Sequence, residues 1–355
     1  MKSPALQAGL GKLSLLLLCT SVGCEALWGG FAVWNDAYCG SEQCAGHDAD
    51  AGAASALVDM MTDRDQDAQD ASESPQLVFA VGSQGTILRR TSAGWQREVG
   101  ITTSDLTRVH GSDIRNVIAV GTRGTIASWN GQGWQVTTVG QSIDLDTIYV
   151  RGQQAWSGGS SGALFHWNGV SWNAQSSPVT GQIVSVFGPS ASSGSPLFGL
   201  SSSPQVTDLL LSASGTSWTR SVTPPPGTGY TKLWGSSGSA LWASGTNGRL
   251  SQWTGTGWNS AATPTTSQLN AVWGSGASDV WAVGAAGTVL HYSGPTPAWN
   301  KVAVPTTANL TDVYGTSPRD LWVVGESGTI LHFDGSRWVA EPSGSTDALR
   351  GIWAG

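Results

Sequence analysis

Charge is scarce in this chain. Only 12% of its 355 residues are Asp, Glu, Lys or Arg, about half the share of an ordinary globular protein. Cysteine is scarcer: Cys19, Cys24, Cys39 and Cys44 are all there are. Residues 45–355 therefore hold no thiol nucleophile and no thiolate metal site. Long apolar runs are missing as well. The longest, Leu13 to Leu18, is broken by Ser14, and a membrane-crossing helix needs about 20 apolar residues. No stripe of Lys and Arg is present, which argues against nucleic acid as a partner.

Glycine and tryptophan are abundant instead, with 48 and 19 copies. Together with many Ser and Thr they argue for short strands and turns, not helices. The net charge of −7 is unevenly spread. Residues 24–76 carry eleven acids against one base, Arg64, whereas residues 77–355 carry fourteen bases and thirteen acids. The acidity belongs to a tail, and the remainder is nearly neutral.

Lys2 and Lys12 precede the apolar run, and Ser21-Val22-Gly23-Cys24 follows it. A basic region, an apolar region and small residues before a cleavage point make a secretory signal over residues 1–23. Ser21-Val22-Gly23-Cys24 resembles the lipobox of bacterial lipoproteins, with Ser21 in place of the usual Leu. The resemblance implies that Cys24 is the lipidated first residue of the mature chain. Glu25 is not the Asp that retains such proteins at the inner membrane, so the implied address is the outer membrane, periplasmic or surface-exposed. The competing reading is a secreted protein with an unmodified Cys24. Cys39 and Cys44 then remain as an even pair in an exported chain, which suits a small disulfide loop. A metal site is the weaker reading, with only His47 nearby. Residues 45–75 are acidic and free of aromatics. They bury too little to offset ordering and read as a solvated linker within 24–76. Asp63, Asp65 and Asp67 start like a calcium loop, but Ala68 and Ser74 stand where that loop needs Gly and Glu.

The rest of the chain is one repeated unit, cleanest at LNAVWGSGASDVWAVGAAGTVLHYSGPTPAW, residues 269–299. First strands begin at Leu106, Leu145, Ile183, Tyr230, Leu269, Leu310 and Leu349, spaced 39, 38, 47, 39, 41 and 39 residues. A period near 40 with several short strands per unit predicts a β-propeller. An aromatic closes each first strand: Tyr149, Phe187, Trp234, Trp273, Tyr314 and Trp353, with His110 as the exception. The last strand brings Trp95, Trp134, Trp172, Trp218, Trp258, Trp299 or Trp338. Residues 77–105 lack a first strand and residues 349–355 are a first strand alone. One completes the other, so the predicted fold is an all-β, seven-bladed propeller over 77–355, closed by its C-terminal strand. G-x-x-G recurs six times, as at Gly121–Gly124, and is expected at the hairpin between strands two and three, where positive φ is needed. No helix follows it, so it is not a phosphate loop. The unit at 183–229 lacks G-x-x-G and carries an insertion around Pro189–Pro196. It reads as a drifted blade or as a functional edge.

With V-W-G-S and D-V-W-A-V-G-A-A-G-T-V-L the chain resembles BNR/Asp-box-like propellers, and more closely the photosystem II assembly-factor-like propellers. The resemblance covers residues 77–355 and implies binding or assembly more than catalysis. The full S-x-D-x-G-x-x-W box is missing; Asp334-Gly335-Ser336-Arg337-Trp338 comes nearest. Sialidases share the repeat and need a Tyr–Glu pair and an acid Asp. Glu98, Glu326 and Glu341 have no such Tyr by repeat position, and no carboxylate pair converges. Arg89, Ser128, His166, Gln252, His291 and His332 form a third-strand column. Equivalent positions on different blades point apart, so the histidines are expected to be structural and no metal or cofactor is expected.

Two functions fit. One is a membrane-anchored envelope module that binds or assembles a protein through variable blade tips such as Arg123, Asn247 and Glu326. The other is a carbohydrate-binding or glycoside-hydrolase-like propeller with a glycan ligand, while a pure spacer remains a third, blander role. Linkers between the blades hold mostly Thr, Ser, Pro and Gly, which favours the first. If Cys24 carries the anchor, Cys24→Ala shifts the protein from the membrane fraction to the soluble one, and the mass of the extracted native chain begins at a lipidated Cys24. Unchanged membrane association of the variant would refute the anchor.

Overall fold

The computed structural model describes residues 16–20 and 23–27 and residues 76–355, apart from 190, 191, 193, 204 and 295–297. The chain divides into two units, 1–73 and 74–355. In the first, Leu16–Thr20 and Gly23–Leu27 pair antiparallel. Cys39 and Cys44 lie outside the described residues. The second unit is a ring of seven four-stranded antiparallel sheets.

Blade six shows the plan. Its strands Leu269–Gly276, Asp279–Gly284, Thr288–Ser293 and Ala298–Val302 run outward from the ring centre in chain order. The second strand is buried from Val280 to Gly284, because it is covered on both faces by neighbouring blades. This is why it reads as a continuous apolar run and not as an alternation. The outer strand is mostly exposed apart from Trp299.

Blade one is the split one. Leu349–Ala354 takes the innermost place and pairs antiparallel with Val78–Gly82, Phe79 opposite Trp353. Ile87–Thr91 and Gly94–Arg97 complete it. Blades two to seven begin at Leu106, Leu145, Gln182, Tyr230, Leu269 and Leu310. The drifted unit is a true blade, Gln182–Phe187, Leu197–Ser202, Thr207–Ser212 and a two-residue outer strand, Thr219–Arg220. Trp218 sits one residue ahead of that strand, buried all the same, with its indole N–H donated to Gln175 at 2.8 Å.

The apolar core lies between the blades. Each buried cluster is shared by two adjacent blades: Phe79 and Ile87 of blade one with Val109 and Trp129 of blade two, Trp322 and Ile330 of blade seven with Leu349 and Ile352 of blade one, and so around the ring.

The G-x-x-G motif joins strands two and three as expected, and its two glycines serve different ends. Its first glycine is extended, as at Gly121 with φ −169°. It is required because a Cβ on Gly121 would overlap the carbonyl oxygen of Asp105, in the linker that enters the blade. That closeness lets the next N–H, of Thr122, donate to the same oxygen at 2.9 Å. The expected left-handed backbone falls on the second glycine and on the residue before it. Gln84, Arg123, Ser161, Asn247, Ala286 and Ser327 have φ of 54–57°, and the glycines after them 63–71°.

Deleting Leu349–Gly355 removes Leu349, Ile352 and Trp353 from two blade junctions at once. Large-to-small losses at such sites cost about 2–5 kcal/mol each, so the sum rivals the whole stability of a domain. The truncated chain is expected to lose its cooperative thermal transition in circular dichroism. A melt superimposable on that of the full chain would sink the ring closure.

Candidate functional site

The third-strand column has a structural explanation. Five of its six members lie directly across from the second-strand aromatic of their own blade, Phe79 from Arg89, Trp156 from His166, Trp242 from Gln252, Trp281 from His291 and Trp322 from His332, while Ser128 faces Ile118. The His291 ring stacks on Trp281 with centroids 3.8 Å apart, and His332 on Trp322 at 3.9 Å. The outer nitrogen of each meets the Asp that opens the second strand, His291 Nε2 to Asp279 at 2.6 Å and His332 Nε2 to Asp320 at 2.7 Å. Asp320 is held below its ordinary value. Burial opposes this, but bonds from His332, Thr316 and Gln76 outweigh it. His166 stacks on Trp156 at 4.9 Å. The histidines stay in separate blades, and among the described residues no group of three His, Cys, Asp or Glu is placed to hold a metal.

The glutamates do not converge either. Glu98 pairs with Arg89 at 2.7 Å. Glu341 reaches into the junction with blade one, accepting from Trp95 Nε1 at 2.7 Å and pairing with Arg90, which lies over Trp322. Glu326 accepts from Asn309 at 3.0 Å. Asp334 caps its own hairpin, taking the backbone N–H groups of Ser336 and Arg337 and the Ser336 hydroxyl. These bonds, the hydroxyl first, draw its carboxyl down to about 2.

Two faces of the ring remain. On the tip face the third residue of each G-x-x-G turn is exposed: Gln84, Arg123, Ser161, Asn247, Ala286 and Ser327. Arg123 and Asn247 stand in this column. Glu326 is exposed too but sits one residue before it, its carboxylate tied to Asn309. Linker side chains brace the turns from the next blade, with Asp105 accepting the N–H of Gln84, Asp144 that of Arg123 and Asn309 that of Ala286. Inside the tips lies a polar funnel of about 480 Å³, lined by Asp146, Gln182, Asn270, Asn309, Glu326 and Arg350 among others. Burial lifts Asp146 above the usual carboxylate range against the pull of Gln182 and Arg108.

The opposite mouth, also about 480 Å³, is aromatic. Six rings follow one another around it: His110, Tyr149, Phe187, Trp234, Trp273 and Tyr314, with successive centroids 5.1–6.5 Å apart. Trp353, the seventh of the column, does not join. It is buried against Gly111 of blade two, where a Cβ would stand 2.8 Å from its ring, and Tyr314 meets His110 directly. Beyond the rings the same strands point Arg108, Lys232 and Asp312 into the channel. Sequence reasoning missed these three. Their signal was legible: the third place of the first strand, where the sister blades carry Thr147, Ser185, Ala271 and Gly351.

No protein-family model matches the sequence, and no curated protein matches it. Solved structures do. The structure of YCF48 bound to D1 peptide aligns with a TM-score of 0.56 at 14% identity, over 80% of this chain and 95% of that one. YCF48 from Cyanidioschyzon merolae aligns with a TM-score of 0.52 at 15% identity, over 69% and 87%. The WD40 propeller domain of Doa1 gives 0.55 at 14% identity, over 75% and 88%. At such identities the likeness is one of fold, and it places the chain among the β-propellers.

His110 generates a prediction. Its Nδ1 accepts the N–H of Val150 at 3.1 Å, and burial, then the Lys232 charge, draw its pKa from 6.5 to about 3. The unfolded chain binds this proton near 6.5 and the fold does not, so the contribution is full above that value and is lost as pH falls toward about 3. The loss over that window is roughly 3–5 kcal/mol. His110→Tyr, the residue of the next blade, should flatten the pH dependence of urea midpoints between pH 6.5 and 3. A variant with the native slope would refute the assignment.

Proposed function

We propose that the chain is a lipid-anchored, outer-membrane propeller that binds a protein of the cell envelope through its tip face. The observation that carries this is the tip column. Six turns of nearly identical backbone, braced by the linkers, each expose their third residue, and five residue types share the six places. A constant frame with varied side chains suits recognition of an irregular protein surface. A propeller of the same fold in complex with a D1 peptide supports a polypeptide partner. No aromatic stands among the six tips to stack on a sugar ring, and the carboxylates are engaged pairwise within the frame. The lipobox-like Ser21-Val22-Gly23-Cys24 supports an envelope location, with residues 24–76 as the tether.

The test is crosslinking of the tagged protein in intact outer membranes followed by mass spectrometry. Arg123→Ala combined with Asn247→Gly removes two tip side chains, and glycine suits the left-handed turn at 247. Exposed substitutions of this kind change stability by about 0.5 kcal/mol or less. The melt should stay native while the yield of a stoichiometric protein partner falls on the order of tenfold. Retention on a glycan column with no protein partner would overturn the reading in favour of carbohydrate.

A further inference from the structure

The mouth opposite the tip face has the makings of a second, separate site. A ring of aromatics around a cavity would by itself suit a cation, because the ring faces are negative. The floor rules that out. Arg108, Lys232 and Arg151 line the cavity with Asp312 as their carboxylate counterpart. Arg151 is spent on the wall: it lies over Trp156 at 4.9 Å, and its Nη1 donates to Ser195 at 2.8 Å. Arg108 and Lys232 are left facing one acid.

Neither cation is fully satisfied. Arg108 donates Nη1 to the carbonyls of Thr107 and Arg350, while its Nε is buried with no hydrogen-bond acceptor. Lys232 Nζ makes only a long ion pair with Asp312 Oδ1, at 3.6 Å, and that oxygen, in a side chain only 5% exposed, has no close hydrogen bond. Asp312 Oδ2 accepts the N–H of Ile352 at 3.3 Å. Buried polar groups without partners cost free energy, and buried charge costs more. Burial draws the Lys232 ammonium below its ordinary value, and Arg108 adds to this against the pull of Asp312. The floor thus sets two cations, Arg108 and Lys232, against the single carboxylate of Asp312, and the wall offers flat apolar surface. The volume of about 480 Å³ falls in the range of small-molecule sites.

We propose that this mouth binds a small organic carboxylate, its flat apolar body held among Phe187, Trp234, Trp273 and Tyr314 and its carboxylate accepting from Lys232 and Arg108. The first strands of several blades supply the site together, so it exists only in the closed ring. It shares no side chain with the tips Arg123 and Asn247, and its test is independent of theirs.

The probes are indole-3-acetate and its cationic counterpart tryptamine, titrated against the purified full chain by calorimetry and tryptophan quenching. Indole-3-acetate should bind saturably and raise the melting temperature, and tryptamine should not bind. Lys232→Met should weaken indole-3-acetate at least about tenfold, with recovery in Lys232→Arg. Phe187→Leu, which keeps an apolar side chain but removes a ring, should also weaken it and decides the matter if Lys232→Met does not fold. Equal binding of the two probes, no binding of either at millimolar concentration, or native affinity in a folded Lys232→Met chain would each overturn the proposal.

Discussion

At six blade tips the chain passes so close to the linker entering the same or the next blade that a single Cβ would collide with backbone oxygen. Gly121 lies against Asp105 and Gly124 against Gly140, and the other copies repeat this. The approach permits the bond from Thr122 to Asp105 and its equivalents, such as Ser160 to Asp144 and Ala285 to Gln268. Everything else in the ring depends on it. The clamp sets where each innermost strand begins, hence which of its residues face the channel, hence what stands at each mouth. Linker hydroxyls complete it: Thr102, Ser177, Thr265, Thr306 and Ser345 each accept a backbone N–H two residues on. The Ser and Thr of the linkers are therefore structural turn-formers.

A second close approach works at the channel. Trp234 packs on Gly274, Trp273 on Gly315 and Tyr149 on Gly188, where a Cβ would come within 2.6–2.8 Å of the ring. The aromatic of one blade thus needs the glycine of the next, which is the reason for the recurrent Trp-Gly and Tyr-Gly pairs. Within the blades, the stacked Trp, His and Asp of blades six and seven give the second strand a polar lid on its outer side. Shape fit carries the junctions, as expected for interiors packed at crystal density.

The ring presents two unlike ends. At the tip face, polar side chains are bound to one another in pairs, as Gln182 with Asp146 and Asn309 with Glu326, leaving the six turn residues to vary. At the other end, buried charge sits behind aromatics with its hydrogen bonds incomplete. His110 belongs to both the packing and the charge of that mouth: it takes the place of an aromatic, bonds to Val150 and stays neutral beside Lys232. From blade four, Gly188 and Pro189 line this end, and the Ser195 carbonyl receives Arg151 at its wall.

The amino-acid sequence by itself determined the number of blades, their order and the pairing of the last strand with the first. These follow from a period near 40 and from two incomplete ends that complement one another. The columns of Trp and His, and the separation of the histidines, were legible for the same reason, since a repeat places equivalent residues in different blades. Only the tertiary structure decided what meets across the channel. Arg108, Lys232 and Asp312 are 80 to 204 residues apart in the chain, and no local pattern brings them together. It decided as well that Trp353 leaves the aromatic ring, and that the first glycine of each turn serves close approach while the third residue and the second glycine take the left-handed backbone. Periodicity specifies which residues are equivalent. Ring closure specifies which of them become neighbours, and the chemistry of both mouths is made of neighbours.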